Sequence, residues 1–86
     1  MRYTYPAIFT PEEGGYSVIF PDLEGCYTSG DDMADAIYMA EDVLAFTMHD
    51  YEVNNKEIPV HVNTAEIPLT DEQFIRNISC NTLEYI

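Results

Sequence analysis

The chain has 86 residues, of which 47% are hydrophobic, and its seven tyrosines and four phenylalanines supply enough apolar material for one small folded domain. Sixteen Asp and Glu residues face three Lys and Arg residues, for a net charge of −13, and no Lys or Arg lies between Tyr3 and Asn55. Such a surface repels nucleic acid and anionic membranes and attracts cationic proteins, which argues against direct DNA or RNA binding.

The N-terminal part of the chain predicts a β-hairpin. Arg2–Thr10 is rich in aromatic and β-branched residues, as strands are, and Pro6 indicates that this strand lies at a sheet edge or ends there. Pro11–Gly15 predicts a turn whose two glycines are free to adopt positive φ. Tyr16–Phe20 then predicts a second strand that pairs back on the first.

A proline-led corner follows this hairpin. Pro21 cannot donate a ladder hydrogen bond and Gly25 can adopt dihedral angles that other residues avoid, so the chain should turn between them. Cys26–Thr28 predicts a short third strand. The whole stretch Ser17–Asp32 carries four carboxylates and no basic side chain. It is therefore either a catalytic or metal-binding site or a surface suited to a basic partner.

The apolar residues now recur at every third or fourth position and no longer at every second one. This change predicts a helix from about Met33 to Tyr51. Asp32 is the predicted N-cap, and Asp35 is favoured by the positive end of the helix dipole. We expect the apolar side of this helix to cover one face of the sheet. That side comprises Met33, Ala36, Ile37, Ala40, Val43, Leu44 and Met48.

The C-terminal part predicts a connection and one more element. Val60–Leu69 is bounded by proline and predicts an irregular connection. Thr70 and Gln73 would suit a capping box at the start of a short helix. Residues 74–80, "FIRNISC", instead alternate in the manner of a strand, and we favour a fourth strand over the helix.

Catalysis and metal binding receive weak support from the sequence. Asp22, Glu24, Asp31 and Asp32 are close together and carboxylate oxygens bind divalent cations, so a small metal-dependent nuclease is one hypothesis. No D-x-D-x-D-G loop is present, however, and helix capping accounts for Asp31 and Asp32. The two cysteines lack CxxC spacing and should be reduced, packed thiols. The sequence thus predicts no catalytic residue, no metal and no cofactor.

The succession of motifs resembles the HicB family of antitoxins. The resemblance covers residues 3–59 through "YPAIF", "EEGGY", "FPDLEGC", a T-x-GD step into an acidic helix, and "EIP". "FIRNIS" followed by "NTLEY" also looks like the last strand of longer members and the start of their linker. The resemblance implies an α+β fold of β-β-β-α-β order, a partial RNase H-like fold in which one long helix packs on one face of an antiparallel sheet.

The resemblance also implies a function without catalysis. It implies that the chain binds a small basic ribonuclease toxin of the HicA type and blocks the RNA-facing surface and active histidine of that toxin. The first strand agrees, because RNase H-like nucleases place a metal-binding carboxylate there and "RYTYPAIFT" has none. Two alternatives stay open, namely an orphan domain that only self-associates and the nuclease above.

The expected partner contacts lie around the acidic corner, where affinity would come from an apolar centre and the charges would speed association. We also expect a homodimer, because so small a core is often completed by a second subunit. The residues predicted to contact the partner are Phe20, Asp22, Glu24, Tyr27, Asp31 and Asp32.

The family resemblance bears on domain organisation as well. Longer members carry a C-terminal DNA-binding segment, which would begin where this sequence stops at Ile86. We therefore expect residues 1–86 to form a single domain without that segment. The N-terminus lacks a signal peptide's apolar region and no run of about 18 apolar residues exists, so we expect a cytoplasmic protein.

Overall fold

Four antiparallel strands form one sheet, and one helix crosses a single face of it. The computed structural model describes residues 1–60 and 67–84. Within them, strand order across the sheet is β3-β2-β1-β4, so β3 and β4 are its edges. The elements are β1 (Arg2–Glu12), β2 (Gly15–Ile19), β3 (Tyr27–Gly30), α1 (Met33–Val53), β4 (Phe74–Asn81) and a 3-10 turn (Thr82–Glu84). The expected α+β class and β-β-β-α-β order are confirmed.

The predicted hairpin is present, but its first strand lies inside the sheet rather than at an edge. β1 pairs with β2 from Ile8 onward and with β4 along most of its length, where Pro6 faces Asn77. The edge position inferred from Pro6 is therefore wrong. β2 ends at Ile19, so no ladder exists on that side of Pro6, and a missing N–H directed there breaks no hydrogen bond. Gly14, at φ 82°, turns the chain between the strands.

The corner between β2 and β3 is closed by three backbone hydrogen bonds. The N–H of Phe20 donates to the carbonyl of Cys26 at 3.0 Å, and the N–H of Leu23 donates back to the carbonyl of Phe20 at 3.1 Å. The N–H of Cys26 completes the set by donating to the carbonyl of Leu23 at 3.2 Å. Because these bonds are internal to the corner, the corner holds Ile19 and Tyr27 opposite each other at the two strand ends that it connects.

Helix α1 begins at the predicted residue and ends two residues later than predicted. The side chain of Asp32 accepts a 2.8 Å hydrogen bond from the N–H of Asp35, which confirms the N-cap. The helix residues that are fully buried against the sheet recur every four positions, as the apolar pattern predicted. They are Ala36, Ala40, Leu44 and Met48.

The tail forms a fourth strand, as favoured, and it pairs with β1. Phe74 stacks on Phe9 with ring centroids 5.3 Å apart, which joins the start of β4 to the core. Thr70 and Gln73 do exchange hydrogen bonds, but they form a turn before the strand and no helix. The predicted connection at 60–69 falls largely on residues 61–66, which lie outside the described residues. No helix in the described part of the chain is both long and apolar enough to span a bilayer.

Candidate partner-binding surface

The six predicted contact residues fall into three separate places. Phe20 lies in the core, the corner carries Asp22 and Glu24 with Tyr27 at its base, and Asp31 and Asp32 lie beyond the far end of β3. β3 is only four residues long, so about 10 Å of strand separates the two acidic groups. The stretch that is continuous in sequence is thus divided between opposite ends of the β2–β3 hairpin.

Phe20, one of the predicted contact residues, lies in the core and not on the surface. Its side chain is only 1% exposed and it packs in the same core as Leu23 and Cys26. The alternation of β2 explains this placement, because Ile19 faces away from the helix and the next residue must face toward it. Tyr27, in contrast, is 68% exposed and offers an aromatic surface.

One acidic cluster forms where the β1–β2 turn meets the start of the helix. Pairing of Tyr16 with Gly30 brings the turn residues Glu12 and Glu13 next to Asp31, around a shallow depression of about 170 Å³. The N–H of Asp31 donates to the carboxylate of Asp35 at 2.9 Å, which extends the cluster onto the helix. This grouping depends on strand register and is not evident from spacing along the chain.

The outward side of α1 continues this negative surface and adds aromatic area. We call it the acidic helix face and define it as Asp35, Tyr38, Glu41, Asp42 and Phe46. Tyr38 and Phe46 are 65% and 57% exposed, although large aromatic side chains are usually covered. The sequence did offer a signal for this surface, because both aromatics lie off the predicted core side of the helix.

A groove runs between the acidic helix face and the edge strand β4. Its volume is about 430 Å³. Tyr38, Glu41 and Asp42 line one wall, while Arg2 and the β4 segment 79–81 line the other. The one ion pair within 4.0 Å in the described part of the chain joins Lys56 and Asp50, so the groove carboxylates have no such pair there. A cationic side chain from a partner would find two carboxylates in this groove.

Metal-ligating side chains and thiols are the two kinds of reactive group that the described residues allow us to assess. No group of three or more His, Cys, Asp or Glu side chains within residues 1–60 and 67–84 is placed to hold a metal ion. Burial raises the pKa of both Cys26 and Cys80 above the ordinary thiol value, which lowers the thiolate fraction at neutral pH. The hydroxyl of Thr47 lies 3.4 Å from the Cys26 sulfur and only partly offsets that shift.

Sequence comparison links the chain to bacterial antitoxins. The family described as "HicB_like antitoxin of bacterial toxin-antitoxin system" matches residues 5–79. Antitoxin HicB 2 of Photorhabdus laumondii is 38% identical over 55 residues, which are 64% of this chain and 40% of that protein. Antitoxin HicB of Escherichia coli K12 is 36% identical over 73 residues, which are 77% of this chain and 53% of that protein. The chain thus spans about half or less of the length of these relatives.

Comparison of structures gives the same fold. A toxin-antitoxin complex from Streptococcus pneumoniae contains a chain that superposes with a TM-score of 0.89 at 26% identity, covering all of this chain and 74% of that one. The HicA3 and HicB3 toxin-antitoxin complex contains a chain that superposes with a TM-score of 0.73 at 21% identity, covering 92% of this chain and 99% of that one. At that lower identity the likeness concerns the fold alone.

Proposed function

Because this chain belongs to the HicB-like antitoxin family of bacterial toxin-antitoxin systems, we propose that it binds a small basic ribonuclease toxin and neutralises it by covering its RNA-binding and active surface. The solved complexes of similar fold carry toxin and antitoxin together, which supports a protein partner. The chain acts in this proposal as a binding protein and breaks no bond itself.

The observation that carries the proposal is the uniformly negative charge of helix α1. Helix α1 contains five acidic residues and no Lys or Arg, whereas a ribonuclease must present cations to RNA phosphates. A surface complementary to those cations competes directly with RNA for them. Electrostatic complementarity of this kind raises the association rate and discourages wrong partners.

We assign the toxin contact to the acidic helix face and the groove beside β4. Affinity in protein interfaces comes mainly from a few aromatic or arginine anchors surrounded by less important contacts. Tyr38 and Phe46 supply exposed aromatic area here, and Glu41 and Asp42 supply carboxylates for cations of the toxin. The corner residues Asp22 and Glu24 lie elsewhere, so the two surfaces can be tested separately.

The test is co-expression with the basic protein encoded by the neighbouring gene, followed by binding measurements on the purified pair. We expect rescue of growth, and we expect the association rate to fall steeply as salt shortens the Debye length to about 8 Å and below. Glu41→Lys with Asp42→Lys should weaken binding by about tenfold or more, since it replaces attraction by repulsion. Asp22→Lys with Glu24→Lys makes the same charge change at the corner and should have a smaller effect.

Two results would overturn this proposal. Absence of binding to any basic protein of the operon would remove the toxin partner. RNA degradation by the purified chain alone, with turnover that a single substitution abolishes, would instead establish an enzyme. A larger effect of the corner pair than of the helix pair would move the contact to the corner.

A further inference from the structure

β4 is the longer of the two edge strands in the described part of the chain. It pairs with β1 at every position from Phe74 to Asn81. Its eight residues extend over about 26 Å, whereas β3, the opposite edge, has only four residues. Exposed edges are normally limited by short strands, proline or bulges, because they pair readily with other chains. β4 contains no proline and its register is uninterrupted, so its outer edge is available for pairing.

Every second residue of β4 directs its backbone N–H and C=O away from β1. Paired residues of antiparallel strands alternate between pairs that exchange both hydrogen bonds and pairs that exchange none. The N–H of Thr82 donates to the carbonyl of Met1 at 2.9 Å. Cys80 and Ile78, two and four positions earlier, therefore bond to β1 in the same way. The intervening residues, whose backbone groups point to the open edge, are Ile75, Asn77, Ser79 and Asn81.

The groove between β4 and the acidic helix face lies along this edge. Residues 79–81 of β4 line it on one side, and Tyr38, Glu41 and Asp42 line it on the other. A strand added to β4 lies about 4.8 Å from it and therefore enters the groove, with every second side chain turned towards α1. Cationic side chains in those positions meet two carboxylates and the exposed ring of Tyr38, which can accept a cation on its face. Arg2 also lines the groove, so carboxylates there outnumber cations by two to one.

The two ends of the β4 edge differ in charge. Arg76 is exposed near the start of the strand, about 10 Å before Ser79 and the groove. A segment that suits both ends carries basic residues beside Glu41 and Asp42 and an acidic or uncharged residue beside Arg76. Such a pattern selects the direction in which a partner strand adds, because reversal would bring Arg76 next to the basic residues.

We propose that the open edge of β4 binds an extended segment of the basic toxin as an additional strand of the sheet. Strand addition derives affinity from main-chain hydrogen bonds and specificity from alternate side chains. The backbone groups of Asn77, Ser79 and Asn81 supply those bonds, and the carboxylates of Glu41 and Asp42 select basic side chains. The identity of the partner rests on the proposed function, and the new element is the way in which that partner is held.

Charge favours a basic segment over a second copy of this chain at the β4 edge. Antiparallel pairing of β4 with itself would continue the sheet through both copies and place their helices next to each other on the same face. Each helix carries five acidic residues and no Lys or Arg, so two strongly negative surfaces would lie side by side. A segment rich in Lys or Arg is instead attracted to the same surface.

Removal of one outward N–H tests strand addition directly. Ser79→Pro deletes that group without breaking a bond to β1, and proline is tolerated on edge strands for this reason. We expect this variant to raise the dissociation constant for the basic protein encoded by the neighbouring gene by about tenfold or more, since a carbonyl of the added strand loses its donor. Ser79→Ala keeps the N–H and loses the 2.8 Å side-chain bond with Thr4, so it should bind like the wild type.

Ser29→Pro is the matched control on the opposite edge of the sheet. The N–H of Phe20 donates to the carbonyl of Cys26, and the alternation of bonded pairs then directs the N–H of Ser29 away from β2. The same substitution therefore removes an outward N–H from β3, where we expect no effect on toxin binding. Circular dichroism should show all three variants folded.

Hydrogen exchange with and without the toxin tests the inference in the unsubstituted chain. We expect the amides of Asn77 and Ser79 to exchange rapidly in the free chain and to become protected in the complex. The amide of Ile78, which bonds to β1, should be protected in both states and serves as the internal reference.

The outcomes separate failure of strand addition from failure of the proposed function. Added protection in α1 alone, or equal binding by Ser79→Pro and Ser79→Ala, would overturn strand addition and leave the proposed toxin contact intact. Equal weakening by Ser29→Pro would overturn it as well. Protection of Asn77 and Ser79 in the chain alone, growing with its concentration, would assign the edge to a second copy and overturn the inference. Failure to bind any basic protein of the operon would overturn the proposed function and this inference together.

Discussion

The hydroxyl of Tyr3 donates a 2.7 Å hydrogen bond to Oε2 of Glu52, which joins the first strand to the last turn of the helix. The same oxygen accepts a 3.0 Å bond from the hydroxyl of Thr82, in the turn that follows β4. The N-terminal amine of Met1 lies 3.1 Å from that hydroxyl oxygen. One carboxylate therefore holds together β1, α1 and the segment after β4.

Removal of the Tyr3 hydroxyl should destabilise the domain modestly. Tyr3→Phe keeps the ring and deletes one hydrogen bond to a charged group, for which we expect a loss of about 1–2 kcal/mol. In a domain of this size that corresponds to a fall in Tm of several degrees, on the order of 4–8 °C per kcal/mol. Tyr38→Phe, at an exposed position, is the control and should melt with the wild type. Equal melting of the two variants would show that the bond contributes nothing.

The same bond should make stability sensitive to high pH. Burial and the hydrogen bond to Glu52 raise the pKa of Tyr3 from 10.0 to about 12. A pKa that is higher in the folded state than in the unfolded state contributes to the free energy of unfolding. That contribution is complete below pH 10 and is lost as the pH rises towards 12. The difference in unfolding free energy between wild type and Tyr3→Phe should therefore shrink over that range in urea titrations. A difference that stays constant or grows would contradict the assignment.

Glu52 should produce the opposite dependence in acid. The hydrogen bonds from Tyr3 and then from Thr82 lower the pKa of Glu52 below its usual 4.5. A lowered folded-state pKa gives stability that is present above pH 4.5 and disappears as the pH falls through the folded value. Glu52→Gln should thus lose less stability than the wild type between neutral pH and pH 3. Glu24→Gln removes an exposed carboxylate from the corner and should follow the wild-type curve.

The N-cap of the helix is a third point at which a single side chain matters. Asp32 accepts the N–H of Asp35, one of the four N–H groups that a helix start leaves without an intrahelical partner. Asp32→Ala should lower the free energy of unfolding by about 1 kcal/mol. Asp31→Ala is a matched control, because Asp31 contributes only its backbone N–H to the local bonds and its removal takes away the same charge. Similar losses in the two variants would mean that charge and not capping is responsible.

The local sequence pattern was sufficient to predict the helix but not to predict the order of the strands in the sheet. The cap at Asp32 and the four-residue apolar spacing define the helix start, since both signals lie within a few residues of it. Pro6 was placed at an edge because a proline cannot donate to a ladder, yet β4 returns to pair beside it through Asn77, which is 71 residues away. No local signal reports a pairing so distant, so the sheet order could only be learned from the structure.

The same distinction explains the candidate surfaces. The family resemblance and the charge led to an acidic binding protein, but assigned its contacts to one continuous stretch of sequence. Side chains alternate between faces of a strand, and this alternation puts Phe20 in the core and Tyr27 on the outside. An apolar row on the face of the sheet away from the helix, formed by Tyr27, Ile19, Ile8 and Ile75, requires the register of three strand pairs. Its four members lie up to 67 residues apart, and their spacing in sequence carries no signal.

Gly30 offers a direct test of how closely the helix approaches the sheet. A Cβ atom at this position would lie 2.3 Å from the backbone nitrogen of Ala36 and 2.5 Å from its Cα. Gly30→Ala should force the helix away from β3, at a cost of about 1–3 kcal/mol or more. Gly14→Ala is the comparison, because a Cβ there meets nothing within 4 Å and the cost comes only from φ 82°, about 1–2 kcal/mol. Adding Ala36→Gly to Gly30→Ala should not restore stability, since the clashing atoms belong to the backbone. Recovery of the melting temperature in that double variant would show that the contact is made by side chains and that the helix lies farther from β3.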